Sequence, residues 1–80
     1  MSKRKIPDYH SKRFEDISGF VRNYRINERL TQAEFSNMSE THVNTLQRFE
    51  TCDKNITLVT LFNFIDAMDM TLAEFFEGME

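Results

Sequence analysis

The 80-residue chain contains one cysteine, one proline, two glycines and no tryptophan. A lone thiol, Cys52, cannot form an intrachain disulfide, and with His10 and His42 it fits no zinc-ligand spacing, so neither a disulfide scaffold nor a metal site is expected. The scarcity of Gly and Pro deprives an all-β fold of its turn residues and favours helices joined by short connections. No run approaches the roughly 18 apolar residues of a membrane span, and the basic start Met1 to Lys5 is followed by Pro7, Asp8 and His10, where a secretory signal needs an apolar stretch. A cytoplasmic protein without membrane segment, metal or cofactor is expected. Catalytic signatures are missing too: Asp16, Glu34, Glu50 and Asp53 fall on different segments, there is no Gly-rich phosphate loop, and no Ser or Cys stands in a nucleophile motif. The chain is not expected to be an enzyme.

What is present suits one small globular core. Hydrophobic residues make up 40% and charged residues 29%, and eight Phe with two Tyr supply the bulk. Residues 1–13 carry Lys3, Arg4, Lys5 and Lys12 with little apolar periodicity and read as a basic N-terminal arm, leaving 14–80 as the folded domain. Phe14, Ile17, Phe20, Val21 and Tyr24 recur at helical steps and predict a first helix from Phe14 to Asn27. Thr31-Gln32-Ala33-Glu34 has the form of a capping box and opens a short second helix to about Asn37. After a tight turn at Met38 to Thr41, Leu46 and Phe49 mark a third helix, His42 to Glu50. Polar Asp53, Lys54 and Asn55 interrupt the pattern, which resumes with Leu58, Leu61, Phe62, Ile65 and Met68 behind a Thr57 cap. Thr71 and Glu74 form a second capping box for a last helix, Thr71 to Glu77.

Two short helices across a tight turn, the second poor in large apolar residues on one face, have the helix-turn-helix layout. From about residue 14 to 77 the chain resembles the Xre family, the lambda-repressor and Cro type of transcription regulator. The resemblance is carried by Val21-Arg22-Asn23-Tyr24-Arg25, Leu30-Thr31-Gln32-Ala33-Glu34-Phe35, Leu46-Gln47-Arg48-Phe49-Glu50, Leu58-Val59-Thr60-Leu61 and Thr71-Leu72-Ala73-Glu74-Phe75-Phe76. It implies an all-α, five-helix lambda-repressor-like domain that binds double-stranded DNA. Val43, Asn44, Gln47 and Arg48 would face the major groove: Asn44 and Gln47 suit adenine edges, Arg48 guanine or a phosphate, and Val43 a thymine methyl. Gln32 would touch a phosphate at the start of the second helix, and Arg25 would pair with Glu50 as a structural ion pair, buried or exposed. The chain departs from the family's pattern at Glu40, where a turn glycine is usual, and at His42, where a Ser or Thr cap is usual, and both changes are expected to weaken DNA binding. The turn is then either rebuilt or strained. Arg29, Cys52 and Asp69 also stand where glycine commonly ends a helix, so those ends are expected to close differently.

The net charge of −3 conceals an asymmetry, since residues 1–29 hold eight basic and four acidic side chains and residues 30–80 two basic and nine acidic. A basic end could grip phosphates while Asp66, Asp69, Glu74, Glu77 and Glu80 stay away from the duplex. Phe75, Phe76 and Met79, following Met68, Met70 and Leu72, exceed the apolar surface a short terminal helix needs. They predict a homodimer through the C-terminal helix, and hence a repressor on a palindromic operator. The alternative is that Phe75 and Phe76 only close the monomer's core. A second reading, from another class, is an antitoxin or interaction module on the same fold, docking a protein partner with its Met-rich surface.

Overall fold

The structure, a computed structural model, describes residues 8–53 and 55–79; residues 1–7, which hold most of the expected basic arm, and Lys54 and Glu80 lie outside them. Among the described residues five helices follow one another: α1 (Asp8–Asn27), α2 (Gln32–Met38), α3 (Val43–Glu50), α4 (Leu58–Ala67) and α5 (Leu72–Gly78). Four of them lie within one or two residues of the spans read from apolar spacing. Helix α1 instead begins six residues before Phe14, so 8–13, assigned to the arm, are helical. Regular apolar spacing begins only at Phe14, so the turns ahead of it gave no periodic signal. An exposed Lys12–Asp16 pair, one helical turn apart at 2.7 Å, sits on this extension.

Both capping boxes form. The Thr31 hydroxyl accepts the Glu34 N–H at 3.0 Å while the Glu34 carboxylate accepts the Thr31 N–H at 2.8 Å. Thr71 and Glu74 repeat the arrangement at 3.1 and 2.9 Å. Thr57 caps α4 through the Thr60 N–H at 3.1 Å, but His42 starts α3 with no side-chain bond. Each exchange satisfies amides that a helix start would otherwise leave open.

The ends of α1, α3 and α4 overturn the expectation that they close differently from the glycine-type turn, and of the two alternatives for Glu40 the strained turn is the one found. Arg29, Glu40, Cys52 and Asp69 all take left-handed backbone, with φ of 60°, 55°, 60° and 59°. At each, the left-handed residue's N–H reaches the carbonyl three residues back and the next residue's N–H the carbonyl five back. At the turn between α2 and α3 these bonds are Glu40 to Asn37, 3.2 Å, and Thr41 to Ser36, 2.8 Å. This is the Schellman closure, and its usual apolar partner is present at two ends, where Leu30 and Met70 pack on the core. Satisfied carbonyls at all four ends, joined at two by the packing of Leu30 and Met70, offset the steric penalty, about 1 to 2 kcal/mol for a side chain in this region. Replacing Glu40 by Gly should therefore stabilise the domain by roughly 1 kcal/mol, the relieved strain exceeding the added chain entropy. Urea unfolding at matched m-value measures it.

The core is Val21, Phe35, Leu46, Phe49, Leu61, Phe64, Ile65, Met68 and Phe75, all buried. Aromatic contacts run from α1 through α3, α4 and α2 and return to α1: Phe14 to Phe49 at 5.6 Å, Phe49 to Phe64 at 5.1 Å, Phe64 to Phe35 at 5.8 Å, and Phe35 to Tyr24 at 6.5 Å. Phe20 meets Phe75 edge-on at 5.0 Å and ties α5 to α1. Gly78 lets this happen, since a Cβ there would lie 2.8 Å from the Phe20 ring. The α2–turn–α3 unit is thus braced from behind, and α3 keeps one face free.

Candidate nucleic-acid interface

Helix α3 divides cleanly. Leu46 and Phe49 are fully buried, while Val43, Asn44, Gln47 and Arg48 are all exposed. Steps of one, three and one residue place these four on a single stripe opposite the core. The side chains of Asn44, Gln47 and Arg48 form no hydrogen bond or ion pair with any described residue. Their donors and acceptors are therefore unspent, so the stripe presents two carboxamides, a guanidinium and a small apolar surface to the outside. Those groups match base edges and phosphates in hydrogen-bonding type.

Behind the stripe, the end of α3 is clamped. Arg25 Nε donates to Glu50 Oε2 at 2.7 Å and Nη2 to Oε1 at 2.9 Å, a two-pronged pair. The third nitrogen, Nη1, donates to the Leu30 carbonyl at 2.8 Å. The side chains are 12% and 2% exposed, so the pair is buried. The hydrogen bond to Glu50 raises the pKa of the Arg25 guanidinium above its ordinary value, joined by the carboxylate's charge and opposed by burial. Glu50 stands at the carbonyl end of α3, where the helix dipole disfavours an anion. Only a full set of donors makes that position tenable.

Gln32 completes the set, its Nε2 donating to Glu50 Oε1 at 3.1 Å. Sequence reasoning placed this amide on a phosphate and missed Glu50 as its partner, since nothing in a linear pattern brings residues 32 and 50 together. It also missed the Leu30 carbonyl. A further tie escaped it: Ser18 of α1, 2% exposed, lies 3.2 Å from the Cys52 sulfur just past α3.

The apolar surplus read along the C-terminal segment is divided between core and surface. Phe75 is fully buried, and Met68, Met70 and Met79 pack in or against the core. Phe75 thus closes the monomer, leaving Leu72 and Phe76 of α5 exposed at 49% and 44%. Helix α4 adds Leu58, Val59 and Phe62 at 69%, 65% and 40%, which sequence reasoning had assigned to the core or passed over. The signal was there, because Leu58-Val59-Thr60-Leu61-Phe62 is apolar on too many sides for one buried stripe. A groove of about 240 Å³ lined by Phe62, Ile65, Asp66, Met70, Thr71 and Leu72 joins the two helices. Leu58 to Phe62 and Leu72 to Phe76 extend it at four-residue steps into one apolar strip.

No family model and no curated protein matches this chain. Among solved structures, it is similar to the restriction-modification controller protein C.Esp1396I. The tetramer of that protein in complex with its natural 35 base-pair operator has a TM-score of 0.76 at 18% identity over 82% of this chain and 87% of that one. Two point mutants of the same protein each have a TM-score of 0.77 at 18% identity over 82% of this chain, covering 84% and 88% of theirs. The likeness establishes the five-helix, all-α fold with its helix-turn-helix.

Proposed function

We propose that this chain is a member of the Xre family and a sequence-specific, DNA-binding transcription regulator of the cytoplasm, which represses from a palindromic operator as a homodimer. The observation that carries this reading is the unspent polar stripe Val43, Asn44, Gln47 and Arg48 on a helix held rigid from behind by the buried Arg25–Glu50 pair. The operator bound by C.Esp1396I, a protein of the same fold, supports it further. Asn44 and Gln47 read adenine edges, Arg48 a guanine or phosphate, Val43 a thymine methyl, and Gln32 holds the backbone.

Fluorescence anisotropy against the DNA upstream of the chain's own gene tests the assignment at several salt concentrations. Asn44→Ala and Arg48→Ala should each lose about 1 to 3 kcal/mol at the operator and much less on random DNA. Superimposable curves for wild type and both variants would remove the stripe from the interface.

The second copy docks on the strip formed by Leu58, Val59, Phe62, Leu72 and Phe76. Two-fold pairing there would present two α3 helices to successive turns of the duplex. Phe62→Asp should leave helicity intact and halve the sedimenting mass. An unchanged mass rejects this seam. The same strip favours the interaction-module reading, in which a different protein covers it. A stable one-to-one complex with a co-encoded protein, together with no operator affinity, would decide for that reading.

A further inference from the structure

The buried ion pair ends in a contact that reaches toward the surface, the half-buried Gln32 amide resting on Glu50. We propose that Glu50 is a positioning residue for a DNA-backbone contact, its carboxylate fixing the Gln32 carboxamide with the nitrogen toward α3 so that the second N–H of that nitrogen serves a phosphate. The inference rests on the reading of the chain as a DNA-binding protein.

A carboxamide has two near-isosteric faces, and only the nitrogen face attracts a phosphate. A free glutamine presents either. An ionised carboxylate, which accepts hydrogen bonds and donates none, admits only the nitrogen at 3.1 Å; a flip would set the amide oxygen against Glu50 Oε1. Glu50 cannot turn aside, because Arg25 Nε and Nη2 hold both its oxygens at 2.7 and 2.9 Å and its side chain is 2% exposed. Arg25 is in turn anchored on the Leu30 carbonyl at 2.8 Å, in the connection that leads into α2. One N–H of Gln32 is thereby committed inward and the other is left over. Gln32 is only half-buried, so its amide stays within reach of solvent and of a phosphate. The chain Leu30–Arg25–Glu50–Gln32 thus selects which face of one surface amide meets the duplex. It also couples that amide to α3, so the backbone contact and the base-reading stripe keep a fixed spacing.

The test is a cycle of binding constants on a short random-sequence duplex at low salt, where phosphate contacts dominate. Gln32→Ala should weaken binding about ten- to a hundredfold, the worth of one hydrogen bond to a charged acceptor. Glu50→Gln should weaken it by a similar factor when Gln32 is present and have no further effect in the Gln32→Ala background. Because Glu50→Gln strands the Arg25 guanidinium, the cycle is repeated with Arg25→Leu and Glu50→Gln together, which removes both charges, and circular dichroism confirms that each variant is folded. Equal losses in both backgrounds would make Glu50 merely structural and overturn the inference alone. No loss on Gln32→Ala would remove the phosphate contact itself, and the inference with it. Side-chain amide NMR of the wild type needs no variant: duplex addition should shift one Gln32 proton strongly and leave its Glu50-bound twin in place. Shifts in both protons or in neither would contradict the arrangement.

Discussion

Glu50→Ala should destabilise the domain by about 3 to 5 kcal/mol, because the substitution abandons the Arg25 guanidinium in a buried site with the Leu30 carbonyl as its remaining partner. For a chain of this length total stability is on the order of 4 to 12 kcal/mol, so the loss is a large share of what holds the fold. The melting temperature should fall by roughly 12 to 40 °C. The magnitude depends on burial: an exposed pair would contribute under about 1 kcal/mol. Two further outcomes separate the explanations. Replacing both partners together, Arg25→Met with Glu50→Leu, should restore most of the loss, since two apolar side chains of similar size leave no stranded charge. Raising the salt should change the wild-type contribution little, as buried charges are poorly screened. If Glu50→Ala melts within about 3 °C of wild type, the pair is not buried in solution, by the same conversion of free energy into temperature.

Phe64→Ala should cost about as much, roughly 3 to 5 kcal/mol, by a different mechanism. The ring is fully buried and touches Phe35 of α2 and Phe49 of α3, so it joins both helices of the helix-turn-helix to α4. Removing it takes away the transfer free energy of the ring and leaves a cavity between three helices that can only partly collapse. Leu58→Ala on the same helix, at a position 69% exposed in the monomer, should stay within about 0.5 kcal/mol when both variants are compared in the monomeric Phe62→Asp background. The comparison separates packing from helix propensity, since both substitutions put the same residue into α4. Denaturant unfolding with unchanged slope measures it. Similar losses at both positions would mean that α4 is turned differently on the core.

How far the sequence reached depended on the distance over which each feature is specified. Capping boxes at Thr31 and Thr71 are settled within three residues, and both were legible and are formed. The buried faces of α3 and α4 followed from spacing at Leu46, Phe49, Leu61, Ile65 and Met68. The α1 start escaped because apolar residues recur at helical steps only from Phe14 onward, even though Pro7 followed by Asp8 is a local start signal. At Arg29, Glu40, Cys52 and Asp69 local preference pointed away from a left-handed turn and was overruled. The connections after Arg29, Glu40 and Asp69 are so short that the next element must start at once, and Leu30 and Met70 gain burial by the sharp reversal. Phe75 and Phe76 show the same limit, being adjacent and chemically identical, one in the core and one at the surface.

By itself the sequence determined the class of this protein: an all-α domain of five short helices, with the third presenting Val43, Asn44, Gln47 and Arg48 on one side and Leu46 and Phe49 on the other. Periodicity and capping are local, and local physics is written in neighbouring residues. Only the tertiary structure decided that the Arg25–Glu50 pair is buried, that Gln32 belongs to it, and that the apolar surplus lies along α4 and α5 and not on the last helix alone. Those outcomes depend on which helix faces lie against each other. Desolvation, which makes a charge pair matter and an exposed phenylalanine a docking surface, is a property of that packing.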